Sequence, residues 1–314
     1  MLQFSLSVTH VLLKNRRVFL ILSIDPAFMA LSASVFYSIT LIFFRRGLEY
    51  GSPFVAILFI NTFVCVTGFV FSLQTETIPE ISMHALFWFV VTGIVGFGIG
   101  HLIALIGIQK IGVNRSAPIT SVTPIWSVLF AVFFLNEKPN FYVCLGTFLI
   151  AAGVWTLSVK KKQEEVSNED LKSGLIYSLT ASILFSIMPV FLKYAYSYQP
   201  TPFFGMSVAF GTGAIAVYLT RPILPKDSIR KTEKLGFQLF AIAAFFNIFA
   251  SIFMWHSMHK GDISVIIPVS RLNTLWVLIL SFFFLKKVET LTLRVVLGAL
   301  IVLVGGMLVI IFRF

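Results

Sequence analysis

Charged residues are scarce in this chain, and their scarcity excludes a soluble protein. Only 12% of the 314 residues are Asp, Glu, Lys or Arg, whereas 58% are hydrophobic and the mean hydropathy is +0.94. A soluble fold of this length has no interior large enough to bury so much apolar surface. The apolar runs are continuous rather than alternating, and they recur at about 20 residues each, enough to cross a hydrocarbon core of about 30 Å. We therefore predict an all-α integral membrane protein.

Cysteine and acidic residues are also few. Cys65 and Cys144 both fall inside apolar runs, where we interpret them as small packing residues rather than disulfide partners or metal ligands. All 13 Asp and Glu residues fall in tails, loops or the ends of runs, so an intramembrane carboxylate for a proton relay has no candidate. No metal site and no cofactor are predicted.

Other functional classes lack their sequence signatures. A net charge of +11 would suggest a nucleic-acid partner in a soluble protein, but the basic residues here sit mainly in short loops between apolar runs. Basic residues in such loops indicate how the chain is oriented in the membrane, and they contact anionic lipid. No His-Glu zinc motif or intramembrane Asp pair indicates an enzyme, and no loop resembles the selectivity filter of a channel.

Ten apolar runs predict ten transmembrane helices. They cover approximately residues 26–44, 54–74, 86–108, 116–135, 141–157, 174–192, 202–220, 237–258, 264–285 and 291–312. Residues 1–25 are expected to be an interfacial tail rather than a cleaved leader, because Asp25-Pro26 replaces the small residues of a cleavage site. The charged segment 159–173 separates two halves, 26–158 and 174–314.

The two halves repeat one pattern. Residues 115–137 return about 150 residues later as 265–289. The matched pairs include Pro118/Pro268, Thr120/Ser270, Ser121/Arg271, Thr123/Asn273, Trp126/Trp276 and Glu137/Glu289. Each half holds five predicted spans, and because five is odd the second copy must be inverted in the membrane relative to the first. We therefore predict two inverted five-helix repeats, a construction found in many secondary transporters.

Each copy has a small, polar fourth helix with a proline, then a Phe-Phe-Leu run, a Glu and an LG-x6-G helix. This pattern resembles the EamA-type transporters of the drug/metabolite transporter (DMT) superfamily. The first copy fits the family's L-G-E ending with Asn136 in the Gly position, and the second has two inserted residues and lacks the glycine. The resemblance covers about 27–311. It implies ten helices around a central cavity, in carriers that export amino acids and other small metabolites or carry nucleotide sugars and sugar phosphates.

Arg271 is the clearest candidate for a substrate contact. It lies seven residues into the ninth predicted span, about 10 Å deep at 1.5 Å per residue. A cation at that depth is costly and usually functional. We expect it to receive a carboxylate or phosphate of the solute. The alternative is a structural arginine that snorkels or binds backbone carbonyls.

Further polar and aromatic residues of the spans are predicted to line the cavity, with helix packing as the alternative for each. The predicted substrate-binding residues besides Arg271 are Tyr37, Asn61, His101, Thr120, Ser121, Thr123, Trp126, Asn247, Ser270, Asn273, Thr274 and Trp276. Three prolines in the fourth and ninth helices remove backbone donors, and the freed carbonyls favour a polar cavity over acyl chains. His101 is also a candidate proton site.

The sequence therefore predicts a multipass carrier that moves a small polar metabolite, an amino acid or related anion, by alternating access. Efflux across a bacterial cytoplasmic membrane is the expected setting. The alternatives are a non-transporting membrane sensor or scaffold on a transporter fold and a nucleotide-sugar or sugar-phosphate exchanger. Monomer and homodimer both stay open, as does energy coupling through His101, diffusion or exchange.

Orientation receives two conflicting indications. Of the 24 Lys and Arg residues, 16 fall on one side of the ten-span arrangement, 7 fall on the side bearing both termini, and the last is Arg271. The positive-inside rule thus favours both termini outside. The family resemblance implies both termini in the cytoplasm.

Overall fold

The structure, a computed structural model, describes residues 24–76, 80–111, 113–158, 167–223, 229, 231–284 and 293–313. Thirteen α-helices and no strand are found in these ranges. The helices are α1 Pro26–Gly47, α2 Pro53–Thr75, α3 Met83–Thr92, α4 His101–Ile111, α5 Val113–Thr120, α6 Thr123–Leu135, α7 Phe141–Ser158, α8 Asn168–Tyr198, α9 Pro202–Leu219, α10 Lys234–Lys260, α11 Ile263–Ser270, α12 Asn273–Phe284 and α13 Leu293–Ile311. A π-helical segment, Gly93–Gly100, joins α3 to α4, and a 3-10 turn, Arg221–Ile223, follows α9. Most of the predicted tail, half of the charged linker and Glu289 lie outside the described residues.

Within the described ranges, eight helical segments are long and apolar enough to cross a membrane, which confirms the expected multispan helical protein. They coincide with the first three and the last five of the ten predicted spans. The predicted fourth and fifth spans correspond to two shorter apolar helices, Thr123–Leu135 and Phe141–Leu157. A count of ten transmembrane helices therefore stays a prediction.

Local sequence signals explain where the helices begin. Proline stands at the start of α1, α2 and α9, where its missing N–H would have had no intrahelical partner. Polar side chains before other helices accept a first-turn N–H: Ser52 Oγ from Val55 N at 3.2 Å and Ser167 Oγ from Asp170 N at 3.1 Å. These hydrogen bonds give first-turn N–H groups a partner and so determine where the helices begin.

The fourth helix of each half is broken at the same place in the repeat. α5 ends at Thr120 and α6 begins at Thr123, and in the second half α11 ends at Ser270 and α12 begins at Asn273. A proline three residues before each break has no N–H to donate, and only a turn continues the chain there. In the second half that turn is closed by a hydrogen bond from Arg271 N to Pro268 O at 3.0 Å. The prolines thus divide the fourth helix of each half into two shorter helices.

Helices of the first half pack against helices of the second half in antiparallel pairs. The pair α1 and α10 shows this directly, because Ser257 Oγ near the end of α10 donates to Pro26 O at the start of α1 at 2.7 Å. At the other end of the same pair, Gly47 lies against the ring of Phe240. α2 packs on α9, α3 and α4 on α8, and α7 on α13. We call the end of the bundle that holds Pro26 and Ile311 end A, and the opposite end B.

Glycines bring α7 and α13 into direct backbone contact. A methyl group added at Gly305 would lie 2.7 Å from Gly146 O and 2.9 Å from Ile150 N. One added at Gly153 would lie 2.9 Å from Gly298 O. These four glycines are the LG-x6-G motif of each copy, so the motif of one half packs on the motif of the other, as small residues commonly do between membrane helices.

We expect Gly305→Ala to destabilise the protein, because the new methyl group meets backbone atoms that have no freedom to move aside. Overpacking of this kind typically costs about 1–3 kcal/mol. Gly211→Ala is the matched control, since the nearest atom to its added methyl is the side-chain sulfur of Cys65 at 3.0 Å. Thermal unfolding in detergent, followed by size-exclusion chromatography, measures both variants. Equal midpoints for the two would contradict the glycine contact.

Candidate functional site: a cavity between the two halves

A cavity of about 460 Å³ lies inside the bundle, between helices of both halves. Its walls come from α1, α2, the π-helical segment with α4, α8, α9, α10 and the broken ninth helix, α11 to α12. Seven of the predicted substrate-binding residues line it: Tyr37, Asn61, His101, Asn247, Ser270, Arg271 and Asn273. Six do not: Thr120, Ser121, Thr123, Trp126, Thr274 and Trp276. Of the candidates on the two broken helices, only Ser270, Arg271 and Asn273 of the second copy therefore reach the cavity, and no candidate on the first copy's broken helix does.

Apolar side chains form most of the cavity wall. The aromatic members are Phe44, Phe97, Phe185, Phe210 and Trp255, and three methionines, Met188, Met254 and Met258, join them. Such a wall suits the apolar body of a solute, and the few polar groups set its orientation.

Arg271 is placed in the cavity by the break between α11 and α12. Its backbone caps the end of α11, so the side chain leaves the helix at the turn rather than from the side of a regular helix. Its Nε atom is buried and has no hydrogen-bond partner among the residues that the structure describes. No described Asp or Glu lies within 4.0 Å of the guanidinium. Tyr37, on α1, lines the same cavity.

Two asparagines add amide groups to the same cavity. Asn61 on α2 is only 4% exposed, and its Nδ2 has no hydrogen-bond partner in the described part of the chain. Asn247 on α10 accepts a hydrogen bond at its Oδ1 from Ser251 Oγ at 3.3 Å. A buried amide donor without a partner carries a desolvation cost that a solute oxygen removes on binding.

His101 follows directly on the π-helical segment. Its Nδ1 lies 3.1 Å from Gly96 O, five residues earlier. Because a carbonyl oxygen only accepts, Nδ1 donates this hydrogen bond, and in the neutral ring Nε2 is then the nitrogen that can accept one. The ring lies between Phe97, at 6.1 Å, and Phe185, at 5.3 Å between centroids. Short π-helical segments are frequent at functional sites, and here four buried glycines permit one.

On the first copy's broken helix, the hydroxyls of Thr123 and Ser121 bond to protein neighbours, whereas the buried Nε1 of Trp126 has no hydrogen-bond partner among the described residues. Thr123 Oγ1 donates to Thr120 O at 2.6 Å and lies 3.1 Å from Ser182 Oγ on α8. Ser121 Oγ donates to Ala151 O on α7 at 3.5 Å. Trp126 stacks near Phe130, at 6.3 Å between centroids. This helix is therefore packed between α7 and α8, which is the helix-packing alternative for these residues.

Trp276 and Thr274 also lie away from the cavity, but Trp276 supports its wall. Its Nε1 donates to Ser34 Oγ at 3.0 Å, and Ser34 lines the cavity. The hydroxyl hydrogen of Ser34 is donated to Leu31 O at 2.6 Å. This bond joins α12 to α1 behind the cavity wall.

A cluster of buried aromatic side chains lies toward end A of the bundle, and one of them, Trp255, also lines the cavity. Phe89, Tyr196, Phe203 and Trp255 are all less than 9% exposed and lie near the end-A termini of four different helices. Tyr196 Oη donates to Trp255 O at 3.2 Å, and the rings of Phe89 and Tyr196 are 5.9 Å apart. We call these four residues the end-A plug. Sequence analysis missed it because aromatic residues are abundant in all of the spans.

Two glutamates outside the cavity hold helix starts at end A. Glu137 accepts from Ile263 N and Ser264 N, both at 2.8 Å, and so caps α11. Glu76 accepts from Phe203 N at 2.7 Å and Phe204 N at 2.9 Å, and so caps α9. Burial raises the pKa of Glu76, and the two backbone hydrogen bonds partly oppose that rise. Both carboxylates sit on the positive ends of helix dipoles.

We expect replacement of Glu137 to destabilise α11 in graded steps. Glu137→Gln keeps one acceptor oxygen, whereas Glu137→Ala leaves two buried N–H groups unpaired at a cost of about 2 kcal/mol. Glu233→Ala is the control, because Glu233 precedes α10 and its side chain makes no cap hydrogen bond. Thermal midpoints in detergent should fall in the order control, Gln, Ala. A Glu137→Ala midpoint equal to that of the control would contradict the cap.

Comparison with known proteins agrees with this architecture. The model of the EamA-like transporter family matches residues 26–159 and again residues 172–311, which are the two halves. A solved structure titled "Crystal structure of protein" superimposes with a TM-score of 0.73 over 92% of this chain and 97% of its own, at 13% identity. At that identity the likeness concerns the fold alone. No curated protein sequence matches the chain.

Proposed function

The chain belongs to the EamA-like transporter family, and on that premise we propose that it carries a small polar metabolite, an amino acid or related anion, by alternating access. The solute occupies the cavity with its anionic group on Arg271, and the direction is efflux across a bacterial cytoplasmic membrane. The observation that carries the proposal is the buried Nε of Arg271, which has no hydrogen-bond partner among the described residues and lies in a cavity shared by the two halves. A buried cation without a counter-ion is costly unless a ligand supplies one.

We further propose ten crossings arranged as two inverted repeats. The two broken helices, α5 with α6 and α11 with α12, each supply one crossing in this arrangement. Antiparallel contacts between the halves support this arrangement. The first helix of the first half, α1, packs on α10, and the first helix of the second half, α8, packs on the joined α3 and α4. A twofold axis that exchanges the halves therefore superimposes one pair of helices on the other. The same axis maps the pair α7 and α13 onto itself. Rocking of one repeat against the other then exposes the cavity to each side in turn.

The end-A plug indicates which movement the cycle requires. Opening toward end A must separate Phe89 and Tyr196 from Trp255, on three helices drawn from both halves. The caps at Glu76 and Glu137 hold α9 and α11 at the same end. We therefore propose that the end-A plug is displaced and that α9 and α11 move together when the cavity opens at end A.

We expect Arg271→Gln to reduce transport of the anionic solute at least about 10-fold. A charge-assisted hydrogen bond contributes about 1.5–3 kcal/mol, and 1.4 kcal/mol corresponds to a factor of ten. Metabolite export from cells expressing the wild type identifies the solute without a prior choice, and its flux is then measured for each variant. Arg271→Lys should retain part of the flux. Arg294→Gln is the control, since Arg294 is exposed and donates to Thr156 O at 3.1 Å.

Unchanged flux in Arg271→Gln, with normal expression and folding, would contradict the role of Arg271. If cells that express the wild-type protein export no metabolite above the level of cells lacking it, the result would contradict transport itself and favour a membrane sensor or scaffold. The test of transport is independent of the test of Arg271, because it compares cells with and without the wild-type protein and needs no variant.

We propose that transport is not driven by protons, because no described Asp or Glu lines the cavity. Purified protein in liposomes should therefore exchange the solute across the membrane at equal rates with and without an imposed proton gradient. His101→Asn tests the histidine of the wall and should leave that independence intact. Uptake that is concentrative only under a proton gradient would contradict the proposal.

A further inference from the structure

Resting on the proposed function, we propose that the carried solute is an organic anion without an ammonium group, a 2-oxo or 2-hydroxy acid rather than an amino acid. The proposal narrows the substrate class to molecules whose remaining polar groups are neutral. It depends on the charges, donors and acceptors that the cavity wall presents.

The cavity wall is charged with one sign only. Arg271 is the sole Lys, Arg, Asp or Glu among its described lining residues. A carboxylate of the solute therefore finds a full counter-charge, and an ammonium finds none. In a low-dielectric site an uncompensated charge costs far more than in water.

The geometry of an amino acid adds a second cost. Its ammonium and its carboxylate share one carbon, so a carboxylate held by Arg271 brings the ammonium within a few ångströms of the guanidinium. Like charges at that distance repel, and no described carboxylate in the cavity offsets the repulsion. A 2-oxo or 2-hydroxy group at the same carbon carries no charge and avoids it.

The neutral polar groups of the wall match an oxygen at that carbon. Asn61 Nδ2 is a buried donor without a partner in the described chain, and it can donate to an oxo or carboxylate oxygen. Ser270 Oγ donates its hydrogen to Ile267 O at 2.7 Å, and Thr40 Oγ1 donates to Phe36 O at 3.1 Å. Their remaining lone pairs can accept from a solute hydroxyl. Neither hydroxyl balances a positive charge.

The rest of the wall fits an apolar body. Phe44, Phe97, Phe210 and Trp255 surround the cavity, and a volume of about 460 Å³ admits a branched or aromatic side chain beside the acid group. An oxo acid and its amino acid share the same side chain, and the 2-hydroxy acid also shares the tetrahedral second carbon of the amino acid. Charge at the second carbon is therefore the feature on which the cavity discriminates.

Matched pairs of compounds test the inference. Phenylpyruvate, phenyllactate and phenylalanine share one side chain, as do 4-methyl-2-oxopentanoate and leucine, and isoamylamine supplies an ammonium alone. Binding to the purified full-length protein is followed by the shift of the thermal midpoint and by isothermal titration. Exchange of the same radiolabelled compounds is measured in liposomes. Asn61→Ala and Arg271→Gln accompany the wild type, with Arg294→Gln as the control.

The inference predicts that oxo and hydroxy acids bind at least 10-fold more tightly than the matched amino acids and that isoamylamine does not bind. Arg271→Gln should abolish binding of the acids, and Asn61→Ala should weaken the oxo acid several-fold. Amino acids that bind as tightly as their oxo acids overturn the inference and leave the proposed carrier intact. Absence of binding by every compound also overturns it, and metabolite export from cells then decides the proposed function independently.

Discussion

Satisfaction of buried backbone groups is the constraint on which this structure depends. In a hydrocarbon environment each N–H needs a partner within the protein, so a helix that begins or breaks inside the bundle must be capped there. Glu137 supplies that cap for α11 by accepting from Ile263 N and Ser264 N. α11 ends at Ser270, and Arg271, the next residue, lines the cavity. The cap at end A and the cation in the cavity are therefore the two ends of one eight-residue helix.

The pseudo-symmetry of the two halves builds the scaffold, and departures from it build the site. Glycines of equivalent motifs meet between α7 and α13, where the two copies contribute equally. At the broken helices the copies differ. Ser121 in the first copy bonds to Ala151 O, whereas Arg271 in the second lines the cavity. Among the described lining residues the cavity therefore has a single Arg or Lys, contributed by one copy alone.

Much of this fold follows from sequence, because hydrophobic length and internal repetition are properties that a linear chain displays directly. The helix breaks follow too, since the prolines before Ser121 and Arg271 remove donors at known positions. The allocation of residues to the cavity does not follow. Thr123 and Asn273 occupy equivalent positions, yet only Asn273 reaches the cavity, because α8 covers Thr123. The partners of Glu76 and Glu137 lie more than 120 residues away in sequence, and no local pattern identifies them.

We propose that the anionic group of the solute binds the guanidinium of Arg271. Solid-state NMR dipolar recoupling measures this contact directly in liposomes that contain the protein with ¹⁵N-labelled arginine and a bound ¹³C-carboxylate solute. We expect a carbon–nitrogen distance of about 3.5–4 Å, as in a bidentate pair, and loss of this short distance in Arg271→Gln. Retention of the short distance in Arg271→Gln, or its absence from wild-type protein with bound solute, would contradict binding at Arg271.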